Sequence, residues 1–316
     1  MRIKNISSAK FSRLKKLPVP ANVFNTESSI FVFDSKDKWK KEKKVFKRLY
    51  ITEGEVFSNK LYTINEEIDK KDIIELEELV LPKELISVGG DIVGFSMPYV
   101  NGINLRTALS SFEFSTSDKI KFLKEIGYIL EKMKYIRKYN KDKGLGNFYI
   151  NDLHASNFIL NLDTKTINVV DMDSAKIGHN LAMPSRYLNN KSNINHVNKY
   201  KKCPNNVGGL FEPSYDTELY CYIMVIFEYI FGGGMQNLDM KEFYYYLQYL
   251  CDVGVPKELI DKFALIYMEP HNENPCHLLD ALEEFYGKTS KQAFYHVRDK
   301  KGNYSDYSTQ KWRVII

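Results

Sequence analysis

Short apolar runs bounded by turn residues dominate the first hundred positions of the chain. Residues 29–33 and 44–51 are rich in Val, Ile and Phe, and the second run alternates apolar with charged side chains. Residues 84–88 and 92–100 flank a Gly-Gly dipeptide, which is typical of a tight hairpin turn. These runs predict β-strands, and residues 53–64, which follow a threonine able to cap a helix, predict one helix among them.

Helical periodicity replaces this pattern after the first hundred positions. Apolar side chains recur every three or four positions over residues 117–136, which predicts a long amphipathic helix. Residues 219–231 form the most apolar run, too short to span a bilayer, and predict a buried helix. We therefore expect an α+β fold in which residues 1–100 form a small β-rich part and residues 101–287 a larger, mostly helical part.

Composition narrows the class of protein. The chain has 316 residues, of which 44% are hydrophobic and 14% aromatic, as in globular proteins rather than disordered ones. The four cysteines include no C-x-x-C pair, so we expect neither a disulfide framework nor a zinc site. Residues 1–10 lack the apolar core of a secretory signal, and we expect a cytoplasmic protein without a membrane span. The net charge of +5 is mild, and the Lys-rich run 36–48 indicates a solvated surface, with nucleic-acid binding a remote alternative.

One stretch of the second part concentrates acidic and amide side chains around a predicted β-hairpin. Two apolar runs flank a polar turn at residues 161–166; Asp152 and Asn157 precede the hairpin, and Asp171 and Asp173 follow it. A short hairpin brings its two ends together although they are far apart in sequence. Carboxylate and amide oxygens suit Mg²⁺, and a further carboxylate can orient or deprotonate a hydroxyl, which is the combination that phosphoryl transfer requires.

The same stretch resembles a known superfamily. Asp-Leu-His-Ala-Ser-Asn at 152–157 resembles the catalytic loop of the protein-kinase-like superfamily, and Val-Val-Asp-Met-Asp at 169–173 resembles its metal-binding strand end. The Asp-Leu-His wording is similar to that of the aminoglycoside and choline phosphotransferase branch. Ile150-Asn151 replaces the His-Arg of protein kinases, and Met172-Asp173 replaces their Phe-Gly. The resemblance implies a two-lobed protein-kinase-like fold, with a small β-rich N-lobe and a larger, mostly helical C-lobe.

The resemblance also implies roles for the acidic and amide residues. Asp152 would be the catalytic base or the hydroxyl-orienting group. Asn157 would complete the catalytic loop and, together with Asp171, would bind Mg²⁺, or Mn²⁺ in its place; Asp173 would be a further ligand. Asp216, at the start of the buried helix, would brace the backbone of the catalytic loop, and it could equally serve as a helix N-cap.

In the N-lobe, the resemblance implies the contacts to ATP. Lys47 would reach the α- and β-phosphates, and Glu55 on the predicted helix, or alternatively Glu53, would hold that lysine in place. Backbone groups at the hinge would bind adenine, and the implied hinge residues are Met97, Pro98 and Val100. Residues 25–29 stand where protein kinases carry a glycine-rich loop, so this chain departs from the protein-kinase pattern there.

The implied activity is an ATP- and Mg²⁺-dependent phosphotransferase that moves the γ-phosphate to a hydroxyl. The Asp-Leu-His loop favours a small-molecule acceptor, whereas the long polar segment 176–212 and the hinge favour Ser or Thr of a protein, which we slightly prefer. A pseudokinase that serves as a binding or scaffold module is the alternative from another class. The lost His-Arg pair favours that alternative, and the intact acidic and amide residues argue against it. Residues 288–316 extend beyond the superfamily's usual fold and have no predicted role.

Overall fold

The computed structural model of the chain has a mixed α+β architecture. It describes residues 1–18, 27–34, 43–62, 64–65, 76–142, 147–150, 152–178, 213–230, 244, 247–248, 250–252, 254–268 and 275–288. Several predicted features lie partly or wholly outside these residues: Asn151, most of segment 176–212, nearly all of extension 288–316, and parts of the stretches at 25–29 and 36–48.

A five-stranded sheet forms the first part of the chain; four of its strands are those that the apolar runs predicted, and the first strand was not predicted. Its strands are β1 (Ile3–Ile6), β2 (Ser28–Asp34), β3 (Lys43–Leu49), β4 (Glu84–Val88) and β5 (Asp91–Pro98). The spatial order is β1-β4-β5-β3-β2, in which β1 and β4 are parallel and the other pairs are antiparallel. The Gly-Gly turn between β4 and β5 has φ values of +68° and +108°, a conformation that glycine adopts without steric cost.

Within the described part of residues 1–100, two helices accompany this sheet. A short helix, α1 (Ser8–Phe11), follows β1, and α2 (Gly54–Tyr62) confirms the helix predicted between the second and third apolar runs. The buried side chains of α2 are Phe57 and Lys60. A buried lysine is unusual, because burial of an ammonium group is unfavourable unless it is paired. This helix therefore brings a positive charge, rather than only an apolar face, towards the interior.

The second part of the chain is mostly helical, and its described residues also form two small sheets. Its helices are α3 (Leu105–Ser110), α4 (Thr116–Asp142), α5 (Tyr215–Tyr229), α6 (Lys257–Met268) and α7 (Asp280–Lys288). The strands β6 (Gly102–Asn104), β8 (Phe158–Asn161) and β9 (Ile167–Val169) form one antiparallel sheet, and β7 (Asn147–Tyr149) pairs with β10 (Lys176–Gly178). The predicted β-hairpin is confirmed as β8 and β9.

Helix α5 is the buried helix that the apolar run predicted. Its residues 217–227 are all buried, so the helix is enclosed on every side. It begins earlier than its apolar run because Ser214 and Thr217 form a reciprocal capping box at its N-terminus. One hydrophobic cluster joins α5 and α4 to the hairpin and to the inner residues of the five-stranded sheet. Among the described residues, none of the helices combines the length and hydropathy that a membrane span requires.

Candidate active site

The β8–β9 hairpin determines where the predicted site residues lie. Phe158 pairs with Val169 across the hairpin, and the Val170 N–H donates to the Asn157 carbonyl at 2.8 Å, so the ladder continues one step beyond the strands. The residues just before β8 and just after β9 are thereby held at one end of the hairpin. That end is where the sequence predicted the acidic and amide residues to meet.

Hydrogen bonds fix the loop that carries Asp152. The Asn157 side-chain amide donates to the Asp152 carbonyl oxygen at 2.9 Å and to its carboxylate at 3.3 Å. The His154 ring accepts at Nδ1 from the Ser156 N–H (3.2 Å), which leaves Nε2 to donate to the Asp152 carboxylate, also at 3.2 Å. The Asp152 side chain retains 25% exposure. The carboxylate is therefore oriented and still accessible to a reacting group.

Asp171 has an unusual backbone conformation. It has φ +66° and ψ +34°, in the left-handed region, which costs a non-glycine residue about 1–2 kcal/mol and which Asp tolerates better than most. The residue stands between β9 and a single turn of 3₁₀ helix, Met172–Ser174, whose side chains are buried. Such strain persists only where surrounding structure enforces it, and it concentrates at functional sites.

A cluster of five charged side chains joins the sheet, α2 and the hairpin. Lys47 of β3, 3% exposed, is in direct contact with Asp171 and donates to both oxygens of Asp173 at 2.7 and 3.0 Å. Lys60 of α2, 5% exposed, donates to Asp173 at 3.0 Å and to Glu27. Glu27 also lies 3.5 Å from the Lys47 ammonium. Three carboxylates thus surround two buried ammonium groups.

For Lys47, Lys60 and Asp173, the nearby opposite charges outweigh the effect of burial on the pKa. Burial disfavours the charged form of both lysines, yet the neighbouring carboxylates raise the pKa of Lys47 and the pKa of Lys60 above their usual value. Burial would raise the pKa of Asp173, but the two lysines hold it well below its usual range. For Asp171, burial together with the nearby Asp173 charge raises the pKa despite the contact with Lys47. Asp173 is therefore the firmly ionised partner of both lysines.

The prediction that Glu55 holds Lys47 is wrong for this structure. Glu55 and its alternative Glu53 are exposed, and the partners of Lys47 are the carboxylates of the cluster. The physical reason is helix phase: at roughly 100° per residue, Glu55 and Lys60 lie about 140° apart around α2. When Lys60 faces the interior, Glu55 is turned towards solvent.

The prediction that Asp216 braces the loop of Asp152 stays a prediction, and its alternative role as the helix N-cap is wrong. Ser214 is the N-cap of α5, and Asp216 lies half-buried in the first turn. Two residues further on, the buried Glu218 accepts a hydrogen bond from the Ile150 N–H at 2.5 Å, just before the loop that carries Asp152. Its other oxygen accepts from Arg137 of α4 at 2.9 Å. Sequence offered one signal for Glu218, because an acid beside a long apolar run needs a buried partner.

Burial also changes the titration of Glu218. It raises the pKa of this carboxyl to about 7, although the Arg137 guanidinium and the Ile150 N–H both favour the ionised form. The same Arg137 nitrogen donates to the Phe148 carbonyl at 3.1 Å. Glu218 and Arg137 together hold the chain on the N-terminal side of the Asp152 loop from two different helices.

The predicted hinge residues lie at the end of β5, as expected. Met97 is buried and pairs in register with Val45, whereas Pro98 is exposed and Val100 is half-buried. The Tyr99 N–H donates to the Lys43 carbonyl at 3.0 Å and so ties this segment to the start of β3. The chain then enters β6, which pairs with β8 of the hairpin. Residues 97–100 thus lead directly into a strand that pairs with β8, the strand that follows Asn157.

The acidic side chains of this site could hold a metal ion. Ligand oxygens of Glu27, Asp171 and Asp173 all lie within 4.8 Å of one another, and hard oxygen donors suit Mg²⁺. The Asp171 side chain is 28% exposed, whereas Asp173 is 1% exposed with both oxygens bonded to lysines. The Asn157 amide nitrogen is engaged with Asp152, which leaves its oxygen for a cation. Asp171 and Asn157 therefore fit a metal better than Asp173 does, and Glu27 is a member of the cluster that the sequence did not indicate.

Comparison with known proteins adds no assignment. No protein-family model matches the sequence, and no curated protein matches it. The function therefore has to be inferred from the side chains that the fold brings together.

Proposed function

We propose that the chain is an ATP- and Mg²⁺-dependent phosphotransferase. The observation that carries this proposal is the contact between Lys47 of the sheet and Asp171, which follows the hairpin 124 positions later in the chain. A buried cation, which could neutralise phosphate charge, thus meets a carboxylate that could hold a metal. The second acid, Asp152, is oriented by the same hairpin. Positioning and charge neutralisation are the main contributions that a protein makes to phosphoryl transfer.

The fold that we propose is protein-kinase-like and two-lobed. Residues 1–100 would be the N-lobe, with the five-stranded sheet and α2, and residues 101–287 the mostly helical C-lobe. Nucleotide would bind between them, with its adenine at the hinge formed by Met97, Pro98 and Val100. The mixed α+β architecture supports this proposal, as does the pairing of β6, which follows the hinge residues in the chain, with β8 of the hairpin.

Each site residue has a role that its surroundings support. Asp152 would accept a hydrogen bond from the acceptor hydroxyl and orient it or take its proton, since His154 and Asn157 already fix its carboxylate. Asp171 and the Asn157 oxygen would hold Mg²⁺, which when bound neutralises charge on the phosphate oxygens. Lys47, with three donors on one ammonium, would bind phosphate while keeping Asp173 as its anchor.

Two kinds of acceptor hydroxyl suit the Asp152 carboxylate. We slightly favour a Ser or Thr hydroxyl of a protein, and a small-molecule hydroxyl of the kind used by aminoglycoside and choline phosphotransferases is the other candidate. Both present a neutral alcohol to a carboxylate, so Asp152 suits either. The destination of the transferred phosphate distinguishes them directly.

Turnover of ATP labelled in the γ-phosphate tests the proposal. Purified protein with Mg²⁺ is expected to transfer label, and D152N and D171N are expected to lose at least about 10²-fold in rate. D163N is the matched control, because Asp163 is an exposed carboxylate in the turn of the same hairpin. Label on protein or on a small molecule identifies the acceptor class. Nucleotide binding without turnover in any acceptor mixture would contradict the enzyme proposal and favour a binding module.

A further inference from the structure

Lys60 is a second buried lysine that converges with Lys47 on the same carboxylates. It approaches from α2, whereas Lys47 comes from β3, and their side chains are 6% and 4% exposed. Both donate to Asp173, whose side chain is 1% exposed. We propose that Lys60 is a second phosphate-binding cation of this site, and that the Glu27 carboxylate takes the place of a phosphate group between the two lysines when no nucleotide is bound. This inference rests on the proposed function.

The position of Glu27 suggests that it stands in for a phosphate. One oxygen, Oε1, accepts from the Lys60 ammonium and lies 3.5 Å from the Lys47 ammonium. A single anionic oxygen thus faces two ammonium groups, as an oxygen of a polyphosphate chain would. Lysine is a compact point charge with three donors, so each ammonium can contact Asp173 and a second anion together.

The Glu27 and Asp173 carboxylates differ in exposure to solvent, and only Glu27 is placed to leave the cluster. The Glu27 side chain is 45% exposed and precedes β2 by one residue, whereas Asp173 is enclosed. The partly hydrated Glu27 carboxylate can therefore move into water at little cost. An incoming phosphate would keep both buried lysines paired. Buried ammonium groups must remain paired, because an isolated buried charge is strongly unfavourable. Exchange of one anion for another meets that requirement.

Charge balance points in the same direction. The cluster holds three carboxylates and two ammonium groups. Engagement of Asp171 by a metal would leave Lys47 with Asp173 and the more distant Glu27, and Lys60 with the same two acids. Withdrawal of Glu27 would then leave one ammonium charge unbalanced, and a phosphate oxygen in its place would contact both lysines without displacing Asp173. If Lys60 served only to close the ion-pair cluster, its removal would change the stability of the protein and leave its affinity for phosphates unaltered.

Equilibrium binding separates these two roles. Calorimetric titration of the full chain with ATP, adenosine and inorganic tripolyphosphate is compared among wild type, K60M, E27Q and the control E55Q, which alters an exposed glutamate outside the cluster. K60M is expected to weaken ATP and tripolyphosphate binding about tenfold and to leave adenosine binding unchanged. E27Q is expected to strengthen ATP binding severalfold, since a competing internal anion is removed. K60R is expected to restore most of the loss in K60M.

The outcomes distinguish this inference from the proposed function. ATP binding to wild type with equal affinity in K60M, or no gain in E27Q, overturns the role of Lys60 and Glu27 and leaves the phosphotransferase proposal intact. If wild type binds neither ATP nor adenosine, the proposed function fails. In that case tripolyphosphate decides: binding that K60M weakens supports the two-lysine anion site, and no binding overturns it. E27Q keeps the test valid if K60M folds poorly, because Glu27 is exposed.

Discussion

Replacement of Glu218 by alanine tests whether this residue holds the chain just before the loop that carries Asp152. The carboxylate of Glu218 satisfies two donors on separate oxygens: the Ile150 N–H at 2.5 Å and an Arg137 nitrogen at 2.9 Å. Both Glu218 and Arg137 are largely withdrawn from solvent, with side chains 1% and 9% exposed. E218A removes the acceptor and leaves a guanidinium and a backbone N–H without it.

The expected loss follows from those contacts. Breaking a buried ion pair by removal of one partner costs about 3–5 kcal/mol, because the remaining charge is left without compensation. Burial raises the pKa of Glu218 to about 7, so the ionised carboxylate itself carries a desolvation cost that the alanine variant avoids. We therefore expect the lower end of that range, about 3 kcal/mol, at pH 8, where the group is ionised.

Urea denaturation of E218A and of D216A at pH 8 measures the difference. D216A is the matched control, because Asp216 is an acid in the first turn of the same helix and is only half-buried. We expect the free energy of unfolding to fall by about 3 kcal/mol in E218A and by much less in D216A. Equal losses, or a larger loss in D216A, would refute the assignment of the bracing role to Glu218.

Three further changes have expected outcomes. Gly94→Ala should lower the free energy of unfolding by about 1–3 kcal/mol in urea, because a Cβ there would lie 2.0 Å from the Lys47 carbonyl oxygen; an unchanged midpoint contradicts this packing. The pKa of Asp173 is lowered in the folded protein, so the stability that its ionised carboxylate contributes is complete above the unfolded pKa of about 4 and is lost as the pH falls. D173N should therefore denature in acid at a higher pH than wild type. An unshifted acid-denaturation midpoint contradicts the pairing of Asp173 with the two lysines. The pKa of Glu218 is raised in the folded protein, so between pH 4.5 and about 7 the folded state holds a proton that the unfolded state has lost, and the free energy of unfolding should fall as the pH rises. E218Q should show a flatter pH dependence of stability. The wild-type slope retained in E218Q contradicts the raised pKa.

Local patterns explain what the sequence could predict. The hairpin could be predicted from the sequence because two apolar runs flank a polar turn. Its pairing is confirmed from Phe158↔Val169 to Leu160↔Ile167. Placement of Asp152 and Asp171 at one end of it follows from chain continuity alone. The apolar run that became α5 and the alternating strand that became β3 were equally local signals.

The sequence did not predict in the same way which charged side chains contact one another. Which face of α2 turns inward depends on its packing against the sheet and hairpin, and a difference of about 140° separates Glu55 from Lys60. The same limit applies to α5, where the sequence did not indicate that Glu218 accepts a hydrogen bond from the Ile150 N–H. Glu27 precedes β2 in an unremarkable polar stretch, and only tertiary structure brings it to the two lysines.

Metal-dependent nucleotide binding tests the central claim most directly. Electron paramagnetic resonance of Mn²⁺, titrated with protein in the presence of ATP, reports bound metal without any assumption about the acceptor. We expect a protein-bound Mn²⁺–nucleotide signal in wild type and in D163N, and its loss in D171N. Retention of the full signal in D171N, or no bound Mn²⁺ in wild type with ATP, would contradict a metal–nucleotide site at Asp171.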